Sequence, residues 1–153
     1  MSRKRNRGHK LDEPFVAIYK SALSATHALG LSAYACKLLL DLMSQFQGDN
    51  NGDLSCAWSY MSKRGWRSRT TLWRAQKELL EKGFIFMTRM GHMPSTCSLF
   101  AITWFPLDVS PKFDPEAVHS FRAKRYANLI HQQGIATQKS GLKNTSLNPV
   151  LEQ

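Results

Sequence analysis

The sequence predicts a mainly α chain with a small β-hairpin, an α+β fold, and three observations carry that expectation. Ser32–Phe46 repeats apolar residues at helical spacing behind a capping serine. Ser68–Lys82 does the same and is followed by Gly83. Two β-type runs, Phe84–Arg89 and Leu99–Trp104, come next, separated by the glycine-bearing loop Met90–Ser98. A length of 153 residues with 42% hydrophobic content suits one compact core plus a tail.

Taken in order, residues 1–13 read as a flexible basic arm, 14–106 as the domain, 107–131 as a C-terminal helix and 132–153 as a disordered polar tail. Pro14–Tyr19 is an apolar lead-in, extended or a short strand, and Lys20–Leu29 a broken helix ending at Gly30. Ser32 caps a helix to about Phe46, with Ala35, Cys36, Leu39, Leu42, Met43 and Phe46 on its buried face. Gly48–Asp53 is a turn with Asn51 and Gly52 at its tip. Its alternating Asp49, Asn51 and Asp53 imitate a calcium loop. Leu54 stands where that loop needs glycine and Tyr60 where it needs glutamate, which excludes the ion.

Leu54-Ser55 is expected to be a very short strand, Ala57–Arg64 a helix, and Gly65 the turn that follows it. Ser68 caps the next helix, whose core stripe is Leu72, Ala75 and Leu79, while Thr70, Trp73, Arg74 and Lys77 fall opposite. Farther on, Asp114 and Pro115 start a helix to about His131. Packing back on its own domain, pairing in a homodimer, holding a protein partner and disorder all stand open for this segment.

The formal charge is +10, and it is unevenly placed. Residues 1–10 hold Arg3, Lys4, Arg5, Arg7 and Lys10 with no acid, and residues 58–92 hold eight Lys or Arg against Glu78 and Glu81. Clustered positive charge attracts polyanions, because each neutralised phosphate releases condensed counterions. Cys36, Cys56 and Cys97 are odd in number and form no CxxC pair, which suits a reducing compartment and argues against a disulfide framework or a zinc site. The five histidines show no metal-ligand spacing, and there is no P-loop, dinucleotide fingerprint or nucleophile elbow. The expectation is therefore a protein that is not an enzyme and carries no metal or cofactor. No apolar run approaches the ~20 residues that span a bilayer, so a cytoplasmic protein with no membrane partner is expected.

Ser68-Arg69, Thr71-Leu72, Arg74-Ala75, Glu78-Leu79 and Glu81-Lys82-Gly83-Phe84-Ile85, with two strands behind them, resemble a winged helix-turn-helix. Leu31–Trp104, about half of the chain, is also similar to small DNA-binding proteins of bacterial mobile elements and phages and to modules of plasmid and phage replication initiators. The resemblance implies a second, recognition helix in the major groove, with Ser68, Arg69, Thr70, Trp73, Arg74 and Lys77 at the bases. Trp73 would stack on a sugar or a thymine methyl, or cover a domain edge. Lys63, Arg64 and Arg67 at the turn, Arg89 and His92 at the wing, and Arg3, Lys4, Arg5 and Arg7 on the arm would meet phosphates. The function implied is sequence-selective binding of double-stranded DNA by a bacterial or phage transcriptional regulator. The alternatives are a replication-initiation module and a winged helix that binds protein.

Overall fold

Ser32 opens the first of the two helices around which the fold is built. Its hydroxyl accepts from the amide of Ala35 at 3.2 Å, and helix α2 follows over Ala33–Met43. The computed structural model describes residues 13–92 and 94–143, from residue 135 on as backbone alone. Upstream lies α1, Lys20–Ala28, an unbroken helix closed at Leu29. Downstream come β1 (Leu54–Ser55), α3 (Trp58–Met61) with a 3-10 turn at Ser62–Arg64, and α4 (Arg69–Glu81). Then follow β2 (Ile85–Arg89), β3 (Leu99–Ile102), α5 (Ala117–Ser120) and α6 (Arg125–Lys143). Most of the basic arm, including Arg3, Lys4, Arg5 and Arg7, lies outside the described residues.

The strands form one antiparallel sheet in the order β1-β3-β2, with Leu54 opposite Phe100 and Ile85 opposite Ile102. The chain is thus a mixed fold of helices with a small antiparallel sheet. Its core gathers Leu38, Leu39 and Leu42 of α2, Leu72, Ala75 and Leu79 of α4, and Phe84, Ile85, Phe100 and Ile102 of the sheet. The expected stripes of α2 and α4 are where the sequence puts them, except that Cys36 and Phe46 are only half-buried and α2 ends three residues early. Asp41 is buried in that face instead, only 7% exposed.

Asn51 is no exposed turn tip. It is fully buried, its side-chain oxygen accepts from the amide of Ile102 at 2.7 Å, and its Nδ2 donates to the carbonyls of Ile102, Phe105 and Pro106 at 3.0, 3.3 and 2.7 Å. Its own amide donates to Asp108 Oδ2 at 2.8 Å. One side chain therefore fixes the end of β3 and the chain that leaves it.

The C-terminal segment departs most from expectation. The helix expected from Asp114 to His131 is replaced by the single turn α5, a break, and then α6. Asp114 does not cap a helix of that length. Its amide donates to the Thr88 carbonyl at 2.9 Å, and its carboxylate accepts from the amide of Met90 at 2.8 Å, closing the outer edge of β2. Lys124, at φ +52°, redirects the chain, and its amide donates to the Thr103 carbonyl at 2.7 Å. Tyr126, 1% exposed, then stacks on Phe84 with ring centroids 5.2 Å apart. The domain core therefore extends past residue 106. The disorder expected from residue 132 does not begin there either, because α6 continues to Lys143; residues 144–153 lie outside the described residues.

Candidate nucleic-acid interface

Ser68 caps α4, accepting from the amide of Thr71 at 3.2 Å. The helix that follows has two unlike sides. Leu72, Ala75 and Leu79 are buried, whereas Thr70, Trp73, Arg74 and Lys77 are exposed. The helix end is set by Gly83, whose φ of +72° is a left-handed conformation that a side chain would strain. A Cβ there would also meet the Arg125 side chain and the Tyr126 amide nitrogen, both at 2.9 Å, where α6 begins.

Two polar clusters set the position of this helix. In the first, Glu78 of α4 accepts from both the amide and the hydroxyl of Ser32, at 2.8 and 2.6 Å, so the carboxylate completes the cap of α2. Lys82 bridges Glu78 and the Gly30 carbonyl, each at 2.8 Å. In the second, the carboxylate of Asp41 accepts from Lys37 at 2.7 Å, Arg64 Nε at 2.9 Å and the Trp66 indole nitrogen at 2.7 Å. Lys37 also donates to the Arg64 carbonyl at 2.9 Å. This cluster ties α2 to the turn between α3 and α4. Gly65 makes that turn at φ +85°.

Burial alone would raise the Asp41 carboxyl, but the hydrogen bonds from Lys37, Trp66 and Arg64 outweigh it and hold the group below the ordinary aspartate value of 3.8. A carboxyl with a lowered folded pKa contributes stability that is present above its unfolded value and is lost as pH falls through its folded one. Unfolding midpoints should accordingly drop as pH descends below about 4, the unfolded aspartate value. Asp41→Asn should cost about 1–3 kcal/mol near neutral pH, from the loss of a charged acceptor. It should also show a shallower acid loss than the parent, though not a flat one, since Glu78 is likewise held below its ordinary value. Identical acid profiles for the two proteins would remove this role from Asp41.

The other expected site residues divide. Lys63 and Arg67 are exposed beside the turn. Arg67 lines a shallow cavity of about 140 Å³ at the start of α4 together with Tyr34, Lys37, Gly65, Trp66, Ser68 and Thr71. Arg64, expected at a phosphate, is instead held by Asp41, and its guanidinium lies 5.5 Å from the Tyr60 ring centroid. Arg69 turns toward α3 and lies over the Trp58 ring at 5.2 Å. Lys77 lies 5.5 Å over Trp73 and 3.7 Å from Glu81, an exposed pair that contributes little. Arg89 folds back, donating from Nε and Nη2 to the Cys97 carbonyl at 3.1 and 2.9 Å, and so braces the β2–β3 loop. His92 is exposed in that loop.

Lys37, Asp41 and Trp66 escaped the sequence reading, as did Tyr34 on the cavity rim. The available signal was Asp41 itself, a charge inside the apolar run Leu38–Met43 with Lys37 one helical turn before it. Among the described residues no three His, Cys, Asp or Glu stand together to hold a metal, and no helix is long and apolar enough to cross a membrane. Compared with protein-family models, curated proteins and solved structures, the chain has no match in any of the three.

Proposed function

We propose that this chain is a winged helix-turn-helix protein that binds double-stranded DNA, with α3 and α4 as the helix pair and the β2–β3 hairpin as the wing. The observation that carries the reading is the division of α4. Leu72, Ala75 and Leu79 anchor it in the core, which leaves Thr70, Arg74 and Lys77 to face a partner, and no acid other than Glu81 shares that face. In this reading α4 lies in the major groove and Arg74 reads a guanine edge. Lys63 and Arg67 hold phosphates around the α4 N-terminus, where helix amides and dipole also favour an anion. Arg64 and Arg89, engaged by Asp41 and by the Cys97 carbonyl, brace the turn and the hairpin loop in this reading. The biological role that best fits such a reader is transcriptional regulation of a bacterial or phage gene.

Selecting the preferred duplex from a random pool and then comparing Arg74→Ala on that duplex and on unrelated DNA tests the assignment. The variant should lose about 1–3 kcal/mol on the preferred duplex, with much less change on unrelated DNA. An equal loss on both would make Arg74 a phosphate contact. Unchanged binding would take α4 out of the groove.

A further inference from the structure

Trp73 stands on the exposed side of α4 with 56% of its surface open. On one side of it, one helical turn earlier, is Arg69, whose guanidinium lies 5.2 Å from the Trp58 ring; one turn later is Lys77, 5.5 Å from the Trp73 ring. The order along this edge of the helix pair is thus Trp58, Arg69, Trp73, Lys77, aromatic alternating with cation. Successive helical residues are about 100° apart, so Trp73 lies toward α3 while Arg74 lies on the far side of the exposed face.

An intact major groove displays base edges, and an indole, with one donor and no acceptor, reads edges poorly. An indole face instead matches a base face, which DNA exposes only where bases are unpaired. Alternating rings and cations supply what a single strand offers, bases to stack and phosphates between them.

We propose that the strip Trp58–Arg69–Trp73–Lys77 receives unpaired bases, so that the DNA bound best is a duplex with a locally opened segment beside the α4 contact. This rests on the DNA-binding reading above and adds the class of DNA to it. Trp73 is the stacking platform, and Arg69 and Lys77 neutralise the phosphates on either side.

The test compares three probes at one salt concentration: a short duplex, the same duplex with a central mismatched bubble, and one of its strands. The full chain should bind the bubble about tenfold tighter than the closed duplex, in keeping with the stacking of one base. Trp73→Leu should abolish the preference, bringing the bubble and the closed duplex to one affinity, and should weaken the fluorescence quenching that the bubble causes. Trp73→Phe, which keeps a ring, should retain most of the preference. Because Trp73 is exposed, melting temperatures should hold in both variants. Equal affinity for bubble and duplex, or a preference that survives in Trp73→Leu, overturns the inference and leaves duplex binding standing. Failure to bind any of the three probes overturns both.

Discussion

Asn51→Ala should lower stability by about 3–5 kcal/mol. The side chain is fully buried and serves four backbone groups, the amide of Ile102 and the carbonyls of Ile102, Phe105 and Pro106. Each buried polar group left without a partner costs about 1–3 kcal/mol; the Ile102 groups are buried while the bonds to Phe105 and Pro106 are only part-buried, which keeps the sum below the simple total. Asn51→Asp should be nearly as costly, because it keeps the acceptor for Ile102 but sets an oxygen against three carbonyls. Denaturant unfolding of the three proteins measures this. A loss under about 1 kcal/mol in Asn51→Ala would mean that solvent can reach those backbone groups.

Tyr126→Ala should cost about 3–5 kcal/mol, the range for removing a buried aromatic ring. The ring stacks on Phe84 and meets Trp104 edge-on at 6.3 Å, in contact with the region where α4 passes into β2. Tyr126→Phe keeps the ring and should keep most of the stability. The contrast separates packing from any role of the hydroxyl. A small effect of Tyr126→Ala would place the domain boundary back near residue 106 and make α6 an appendage.

Both residues lie where sequence reasoning was weakest, for the same physical reason. The helices α2 and α4, their caps at Ser32 and Ser68, the stop at Gly83 and the two hairpin strands are encoded by neighbours a few residues apart, and they were readable. Asn51 looks like a turn residue because asparagine beside glycine usually is one, yet its partners are about fifty residues away in Ile102–Pro106. Asp41 interrupts an apolar face for the sake of Trp66 and Arg64, which arrive from another element. Residues 107–121 form no long helix because part of them lies along β2, held by Asp114 and by Phe121, which meets Phe86 edge-on at 5.5 Å. Asp114-Pro115 has the composition of a helix start, but its polar groups are used on the strand edge instead.

The candidate interface shows the same split. Periodicity alone placed Thr70, Trp73, Arg74 and Lys77 on one exposed side of α4, as the structure has them. Which cations remain free is a tertiary matter. Arg64 and Arg89 look like Lys63 and Arg67 in the sequence, but a buried carboxylate and a loop carbonyl engage the first two.

The proposal that the α4 side binds duplex DNA is tested most directly by titrating a short duplex with the full chain at several salt concentrations, beside the double variant Lys63→Ala, Arg67→Ala. The account predicts saturable binding whose log K falls linearly with log salt, and a slope shallower in the variant by about 0.9 for each phosphate contact removed. Parallel slopes for the two proteins would take Lys63 and Arg67 off the DNA. Absence of saturable binding even at low salt would contradict the duplex-binding account itself.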